Sequence, residues 1–302
     1  FYPTDFLTTA RDILFFWVAR MIMSGFEFAG DVPFHDVYVH SVIQAPDGRR
    51  MSKSLGTGID PLDEIDAHGA DAVRFGLLAM SSTQDVRYSS EKVRQGQALA
   101  NKLFNAARYV LMNTEGQDCG QTGAEVEYSS ADRWIRSRLG TTITEVRAQL
   151  DAYRFDLAAQ ALYEFAWYDY CDWYLELSKP ALQSAEGSDA QKRGTRQTLV
   201  QVLEGCLRLL HPMMPFITEE IWQSVAPLAG RTGQTIMLQP YPTAQEFPQD
   251  AAAEGAIAAI KAAILGARQI RGQLDIPQSR EIVIHYQSPH EADQQSLAAS
   301  LG

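Results

Sequence analysis

The 302-residue chain is 46% hydrophobic, enough for two cores and a further fragment, and its net charge of −11 excludes a general basic coat for nucleic acid while leaving room for local cationic patches. Cys119, Cys171 and Cys206 stand far apart without metal-ligand spacing, which excludes a disulfide framework and fits free thiols in a reducing, cytoplasmic setting. No signal peptide and no apolar run of bilayer length is found, so no membrane partner is expected. The opening on Phe1 instead of methionine reads as a piece of a longer protein.

Phe1 to Leu7 reads as an extended segment broken at Pro3. Thr8 and Thr9 are candidate caps for a helix over about Arg11–Ser24, which Gly25 would close. Ile13 and Trp17, at i and i+4, share a face of that helix, and the apolar run Ile13–Ala19 by itself reads as core. Asp36–Ile43 reads as a strand, with Val37, Val39, Val42 and Ile43 predicting burial on both faces, as in a parallel sheet. His40 falls near its carboxyl end, where open α/β sheets bind ligands, although a lone histidine is more often just hydrogen-bonded in place.

After the turn Pro46-Asp47-Gly48 comes Arg49-Arg50-Met51-Ser52-Lys53-Ser54-Leu55-Gly56, three cations and two hydroxyls on a short loop. Ser52, Ser54, Gly56, Thr57 and Gly58 are small enough for the backbone to approach a ligand closely. Lys53 is a compact point charge on a flexible stem, suited to a moving polyphosphate. Such a loop can hold a triphosphate and offset the charge that develops as it is cleaved. The plain alternative is a solvated basic loop. Asp60-Pro61 then opens a helix to about His68 that Gly69 ends, and Asp71–Met80 forms a second.

From Ser90 to about Leu228 the pattern is helical: Ser90–Asn113, Ser130–Ala152, Asp156–Leu177, Ala190–Leu210 and Pro215–Val225. Breaks are predicted at Gly116–Gly123, near Tyr153–Phe155, at Pro180–Asp189 and at His211-Pro212, and the whole suits a helical bundle. Ser129 and Asp132 resemble a capping box. Phe165, Trp167, Tyr168, Tyr170, Trp173 and Tyr174 are expected to pack the bundle, the alternative being base stacking. Lys102, Asn105 and Arg108, at i, i+3 and i+6, make one broad polar face. Ala251–Arg271 reads as a further helix carrying Lys261, Arg268 and Arg271, and Glu281–Tyr286 alternates as a strand. There is no internal repeat or sustained heptad pattern.

Met51-Ser52-Lys53-Ser54, with Arg50 where a lysine usually stands, resembles the KMSKS signature of class I aminoacyl-tRNA synthetases. Asp12 to Met21, Pro33-Phe34, Val37 to His40, Gly69 to Arg74, Asn101 to Arg108 and His211-Pro212 to Trp222 resemble the valyl-tRNA synthetases in order and spacing, to about Pro277. The resemblance implies a mainly α chain: the end of a Rossmann-type α/β catalytic domain with its stem-contact region (1–88), including Arg74 and Ser82 to Asp85, a helical-bundle anticodon-binding domain (89–228), and a junction with a truncated carboxyl-terminal region (229–302). It implies activation of valine by ATP to valyl-adenylate and transfer to tRNA(Val), by a monomer in the cytoplasm. Lys53, Arg50, Ser52 and Ser54 would be catalytic; Lys53, Met51 and His40 would bind ATP; Ile13, Trp17 and Asp12 would form the valine site; and Lys102, Asn105, Arg108 and Arg74 would bind tRNA. ATP would enter as a substrate with its Mg2+, and the protein itself would hold no metal.

None of His35, His40, His68, His211, His285 and His290 fits the H-x-G-H signature of the class, and the editing domain is missing, so the chain is expected to carry half of an active site and to be inactive alone. It departs from the family at Ala10 and Ser41, both usually glycine near the nucleotide. An isoleucyl or leucyl enzyme is the nearest alternative; the isoleucine enzymes usually carry a polar Gln-His-Arg-Gly-Trp where this chain has Ile13-Leu14-Phe15-Phe16-Trp17. A non-catalytic tRNA-binding module is the alternative from another class, and the intact loop at Met51–Ser54 argues against it.

Overall fold

A computed structural model describes residues 2–80, 84–184, 187–277, 279–283, 285, 287 and 294. The chain is mostly helical and divides into two compact units. One comprises the described residues of Phe1–Lys102, Glu145–Tyr163 and Leu210–Thr218; the other comprises those of Leu103–Thr144, Glu164–Leu209 and Glu219–Gly302.

In the first unit, β1 (Thr4–Ala10) pairs in parallel with β2 (Phe34–His40), from Thr4 beside Phe34 to Ala10 beside His40. Parallel neighbours need a crossover, and here it is helical. A 3-10 turn (Arg11–Ile13) leads into a π-helical turn (Leu14–Val18), then α1 (Ala19–Ser24), then a second π-helical turn (Gly25–Ala29). Thr8 and Thr9 are therefore strand residues and cap nothing; the residue before the first turn is Ala10, without a side-chain cap. Gly25 does not stop the helix either. A Cβ there would sit 2.7 Å from the Tyr2 hydroxyl, so the glycine serves close packing, and the stop is the left-handed Gly30 at φ +70°.

The strand predicted over Asp36–Ile43 is split at Ser41-Val42 into β2 and β3 (Ile43–Gln44), and β3 pairs in parallel with β4 (Val86–Arg87). Burial on both faces is not observed: Val37 is 39% and Val39 43% exposed. Among the described residues β1 and β2 pair only with each other, and valines on a two-stranded sheet lack the layers that normally cover parallel strands. One face is partly covered by an aromatic group in which Phe6, Tyr38, Tyr153 and Phe155 lie with ring centroids 5.1–6.3 Å apart.

The two helices after the loop form as expected. Asp60 accepts the Leu62 N–H at 2.9 Å and caps α2 (Pro61–His68), while α3 runs Ala70–Ala79. Ala72 and Val73 of α3 form a small core with Val93 of α4 (Ser90–Thr114), flanked by Ile65 and Tyr88. Glycines make this contact possible: a Cβ at Gly76 would lie 2.9 Å from Val93 Cα, and one at Gly96 would lie 2.8 Å from the Ala72 carbonyl.

The bundle helices are α5 (Ser130–Asp151), α6 (Phe155–Glu164), a π-helical stretch (Phe165–Tyr174), α7 (Leu175–Gln183), α8 (Asp189–Leu210), α9 (Pro215–Val225) and α10 (Ala251–Gln273); the end of α5 from Glu145, α6 to Tyr163 and the start of α9 to Thr218 belong to the first unit, and α7 and α10 lie wholly in the second. The capping box holds, with Asp132 accepting from the Ser129 N–H (2.9 Å) and hydroxyl (2.7 Å) and returning its own N–H to the Ser129 hydroxyl (3.1 Å). Phe165, Tyr170 and Tyr174 are buried, and the Tyr170 hydroxyl donates to the Leu199 carbonyl at 2.9 Å, so these three rings pack the bundle as expected, whereas Trp167 and Trp173 are half-buried and Tyr168 is 51% exposed and is not core.

Pro180 does not break the helix. The chain stays helical to Gln183 and leaves it only at Ser184. Of the strand predicted at Glu281–Tyr286, residues Glu281–Val283 and His285 have no regular structure, and Ile284 and Tyr286 lie outside the described residues, as do Ser82, Thr83 and His290.

The interior also holds a charge network. Arg208, 2% exposed, donates from Nε to both Glu204 oxygens (2.9 and 3.0 Å), and its Nη2 meets Glu246 at 2.8 Å. Trp222 donates its indole N–H to Glu204 at 3.0 Å, and Arg231 ion-pairs with both glutamates.

Candidate nucleotide site

The loop after β3 is closed at its base and open at its tip. Gln44 and Arg50 form an antiparallel bridge, and the turn beneath them is held by Ala45 N–H to Arg49 carbonyl and Gly48 N–H to Ala45 carbonyl, each 2.8 Å. Above it, Thr57 ties the two arms. Its hydroxyl donates to the Arg50 carbonyl (2.9 Å) and accepts the Ser52 N–H (3.0 Å), while its own N–H reaches the Ser52 carbonyl (3.2 Å). The hydroxyls of Ser52 and Ser54 lie 2.9 Å apart, and Lys53 stands exposed at the tip.

The three cations divide into unlike roles. Asp47 takes Arg49 at 2.7 Å; the Arg49 backbone N–H, then its guanidinium, hold the Asp47 carboxyl below the usual carboxylate range. Among the described residues Arg50, 79% exposed, pairs with no carboxylate but Asp12, at 3.6 Å, too solvated to bind strongly. Among the described residues no carboxylate pairs with Lys53. Arg50 and Lys53 are thus the charges left for an anion.

The strands set what lies near this loop. Because Ala10 pairs with His40, the start of the crossover helix and the carboxyl end of β2 share one sheet edge. His40 is exposed, with Nδ1 2.8 Å from the Ser41 carbonyl. A carbonyl only accepts, so Nδ1 carries a proton, and in the neutral ring Nε2 is then an acceptor. Ile13 and Trp17 are 43% and 58% exposed, so neither is a core residue here. Asp12, read from sequence as polar support for the amino acid, stands between Arg11 (3.8 Å) and Arg50 (3.6 Å) and joins the helix start to the loop.

Sequence reading missed two positioning residues. Thr57 was seen only as small, although a lone hydroxyl between Gly56 and Gly58 is a signal for a side chain that closes its own loop. Asp85 accepts the Val42 N–H (3.1 Å) and the Arg11 guanidinium, joining the crossover helix to β3; the Val42 N–H first, then Arg11, hold its carboxyl below the usual range.

The four residues assigned to RNA are not one group. Arg74 of α3 is exposed but donates to the carbonyls of Pro212 (3.0 Å) and Met213 (3.3 Å). One turn earlier, buried Asp71 accepts the N–H groups of Phe216 (3.1 Å) and Ile217 (2.6 Å), capping α9 from outside. Two segments that stand out in the sequence, Gly69 to Arg74 and His211 to Trp222, are thereby joined. On α4, Asn105 and Arg108 are exposed and Lys102 is half-buried. Among the described residues no helix is long and apolar enough to cross a membrane.

Residues 1–89 match the family described as tRNA synthetases class I (I, L, M and V), and residues 132–286 match the anticodon-binding domain of tRNA ligase, about half of the chain. The fold is similar to that of the Agrobacterium radiobacter K84 agnB2 LeuRS–tRNA–LeuAMS complex, at 22% identity and TM-score 0.59 over 81% of this chain. It is also similar to Mycobacterium tuberculosis methionyl-tRNA synthetase, in the free state (24%, 0.56) and bound by methionyl-adenylate (25%, 0.57), each over 82% of this chain. The chain spans 30% of the length of the first and 50% of the other two. The chain therefore belongs to the class I tRNA synthetases of the isoleucine, leucine, methionine and valine group and carries their anticodon-binding domain.

Proposed function

We propose that this chain serves a valine–tRNA ligase, supplying the signature loop, part of the amino-acid pocket and the tRNA-binding bundle. The observation that carries the reading is the loop itself: closed by Thr57, with Arg50 and Lys53 left for an anion, beside the sheet edge that bears His40 and the helix of Ile13 and Trp17. When the valine carboxylate attacks the α-phosphate of MgATP, negative charge moves onto the departing pyrophosphate. Lys53, unpaired at the tip, can follow that charge, with Ser52 and Ser54 as hydroxyl donors, and the attraction strengthens as water leaves. Arg50 holds the base of the loop against Asp12 and adds charge. His40 Nε2 offers an acceptor to the adenine amino group, and the Met51 backbone and side chain border the nucleotide.

In this reading Ile13 and Trp17 form a rigid apolar wall sized to a branched aliphatic side chain. Residues 1–88 belong to the catalytic domain, 89–228 to the bundle and 229–302 to the junction. Exposed Val37 and Val39 await the layers of a complete catalytic domain. A leucine or methionine enzyme is the second reading, favoured by the LeuRS and methionyl-tRNA synthetase structures that share the fold. ATP–pyrophosphate exchange by the complete synthetase carrying this chain, run with valine, isoleucine, leucine and methionine, tests the two. Valine should give the highest kcat/KM, and a higher value for leucine or methionine would overturn the valine reading.

A further inference from the structure

Between Glu254 and Asp275 the acidic chain carries no carboxylate but three cations, Lys261, Arg268 and Arg271, all on α10. Lys261 and Arg268 are seven residues apart, within about 20° of one another around the helix, and Arg271 is about 60° further round. Their environments differ. Lys261 is held by Asp169 at 3.2 Å and lies over the rings of Trp134 (4.2 Å) and Trp173 (5.1 Å). Arg268 is exposed and stacks over Trp173 at 5.7 Å. Arg271 donates to the carbonyls of Pro277 and Arg280, both at 2.8 Å, folding the following chain back as an elbow.

Stacking and carbonyl contacts orient a guanidinium without neutralising it. Among the described residues neither arginine has a carboxylate partner. A cavity of about 710 Å³ opens between them, lined by Arg268, Arg271, Gly272, Asp275, Ile276 and Pro277. No residue from 261 to 273 is buried, so this end of α10 is accessible. The elbow also falls inside the segment that matches the anticodon-binding domain, whereas α4 lies outside both matched segments.

We infer that the elbow at the end of α10 is a phosphate-binding contact for tRNA, with Arg268 and Arg271 gripping the sugar–phosphate backbone. The inference rests on the reading of this chain as tRNA-binding and names where in the bundle that contact lies. Arginine suits the task because its planar fork meets phosphate oxygens in pairs. The plain competitor is that these cations merely offset the carboxyl end of the helix dipole, which would affect stability alone.

The test is binding of a labelled tRNA(Val) transcript to the 302-residue chain between about 50 and 200 mM salt, with helix content followed by circular dichroism. Losing one phosphate contact lowers the salt slope by about 0.9, a roughly threefold smaller loss of affinity across that range. Arg268→Gln should lower the slope by that amount, Arg268→Lys should keep it, and Lys261→Gln should leave it unchanged. Among the described residues Arg268 makes a stacking contact and holds no elbow carbonyl, so its variant tests the contact without dismantling the elbow; Arg271→Gln should act alike. If the wild-type chain binds and Arg268→Gln keeps both affinity and slope, the elbow contact is overturned while the tRNA reading stands. Failure of the wild-type chain to bind even at low salt would overturn both.

Discussion

The buried charge network of the second unit permits a stability prediction worked from its contacts. Glu204→Gln is nearly isosteric, so it changes charge and hydrogen bonding with little change in packing. Glu204 and Arg208 are each 2% exposed, and Glu204 accepts Arg208 Nε through both oxygens and the Trp222 indole N–H. The amide retains one acceptor for these donors and turns an NH2 group toward the guanidinium. Arg208 keeps Glu246 at 2.8 Å and the Pro240 carbonyl at 2.9 Å, so its charge is only partly abandoned.

Breaking a buried pair costs about 3–5 kcal/mol, and the surviving partners place this case near about 3 kcal/mol. Denaturant unfolding followed by tryptophan emission, which includes Trp222, measures it. Arg208→Met removes the opposite charge, and the double variant should lose at least about 1 kcal/mol less than the sum of the singles, because neither charge is then left alone. A single-variant loss below about 1 kcal/mol, the value of an exposed pair, or strict additivity would refute the reasoning.

Lys53→Ala in the complete synthetase should slow single-turnover amino-acid activation by about 10²–10³ with far less change in ATP KM, since the contact tightens only as charge leaves the α-phosphate; a normal rate would make the loop decorative. Trp17→Ala should raise the KM for valine and alter discrimination against isoleucine, where one methylene is worth roughly 1–3 kcal/mol, and unchanged selectivity in a folded variant would return Trp17 to a plain surface residue. Asp118 accepts from the Thr122 hydroxyl, then from the Gly120 N–H, Arg193 and the Gln121 N–H, which together hold its carboxyl down to about 2. A lowered folded-state pKa stabilises the fold above the unfolded value of about 3.9. Asp118→Asn should therefore be less stable than wild type at pH 7, with the difference closing as pH falls from about 4 through 2; a constant difference across pH would exclude the carboxylate as its source.

What was legible in the sequence was what neighbours in the chain decide. Asp60-Pro61 starts α2 because a cap and a fixed φ act within one turn, and Ser129 with Asp132 closes its box across three residues. The misreadings came from local signals overruled by distant partners. Thr8 and Thr9 carry cap chemistry, but pairing with β2 some thirty residues on draws them into a strand. Gly25 looks like a stop, yet its missing Cβ makes room for Tyr2. Pro180 looks like a break, yet the helix that buries Leu175 and Ser178 passes through it to Gln183.

The candidate site divides along the same line. Its cations could be read off the chain because the motif is contiguous, but their allotment could not. Asp47 commits Arg49, and the sequence placed that aspartate in the turn without saying that it would fold back. Asp12 reaches Arg50 only once a parallel strand pair sets the crossover helix beside the loop, so the residue also links that helix to the loop. That link is weak, exposed and 3.6 Å long, whereas the Thr57 closure consists of three hydrogen bonds within the loop. The loop is thus held firmly to itself and lightly to its surroundings. Such a part can keep its shape while it moves, as the role proposed for Lys53, following a departing phosphate, requires.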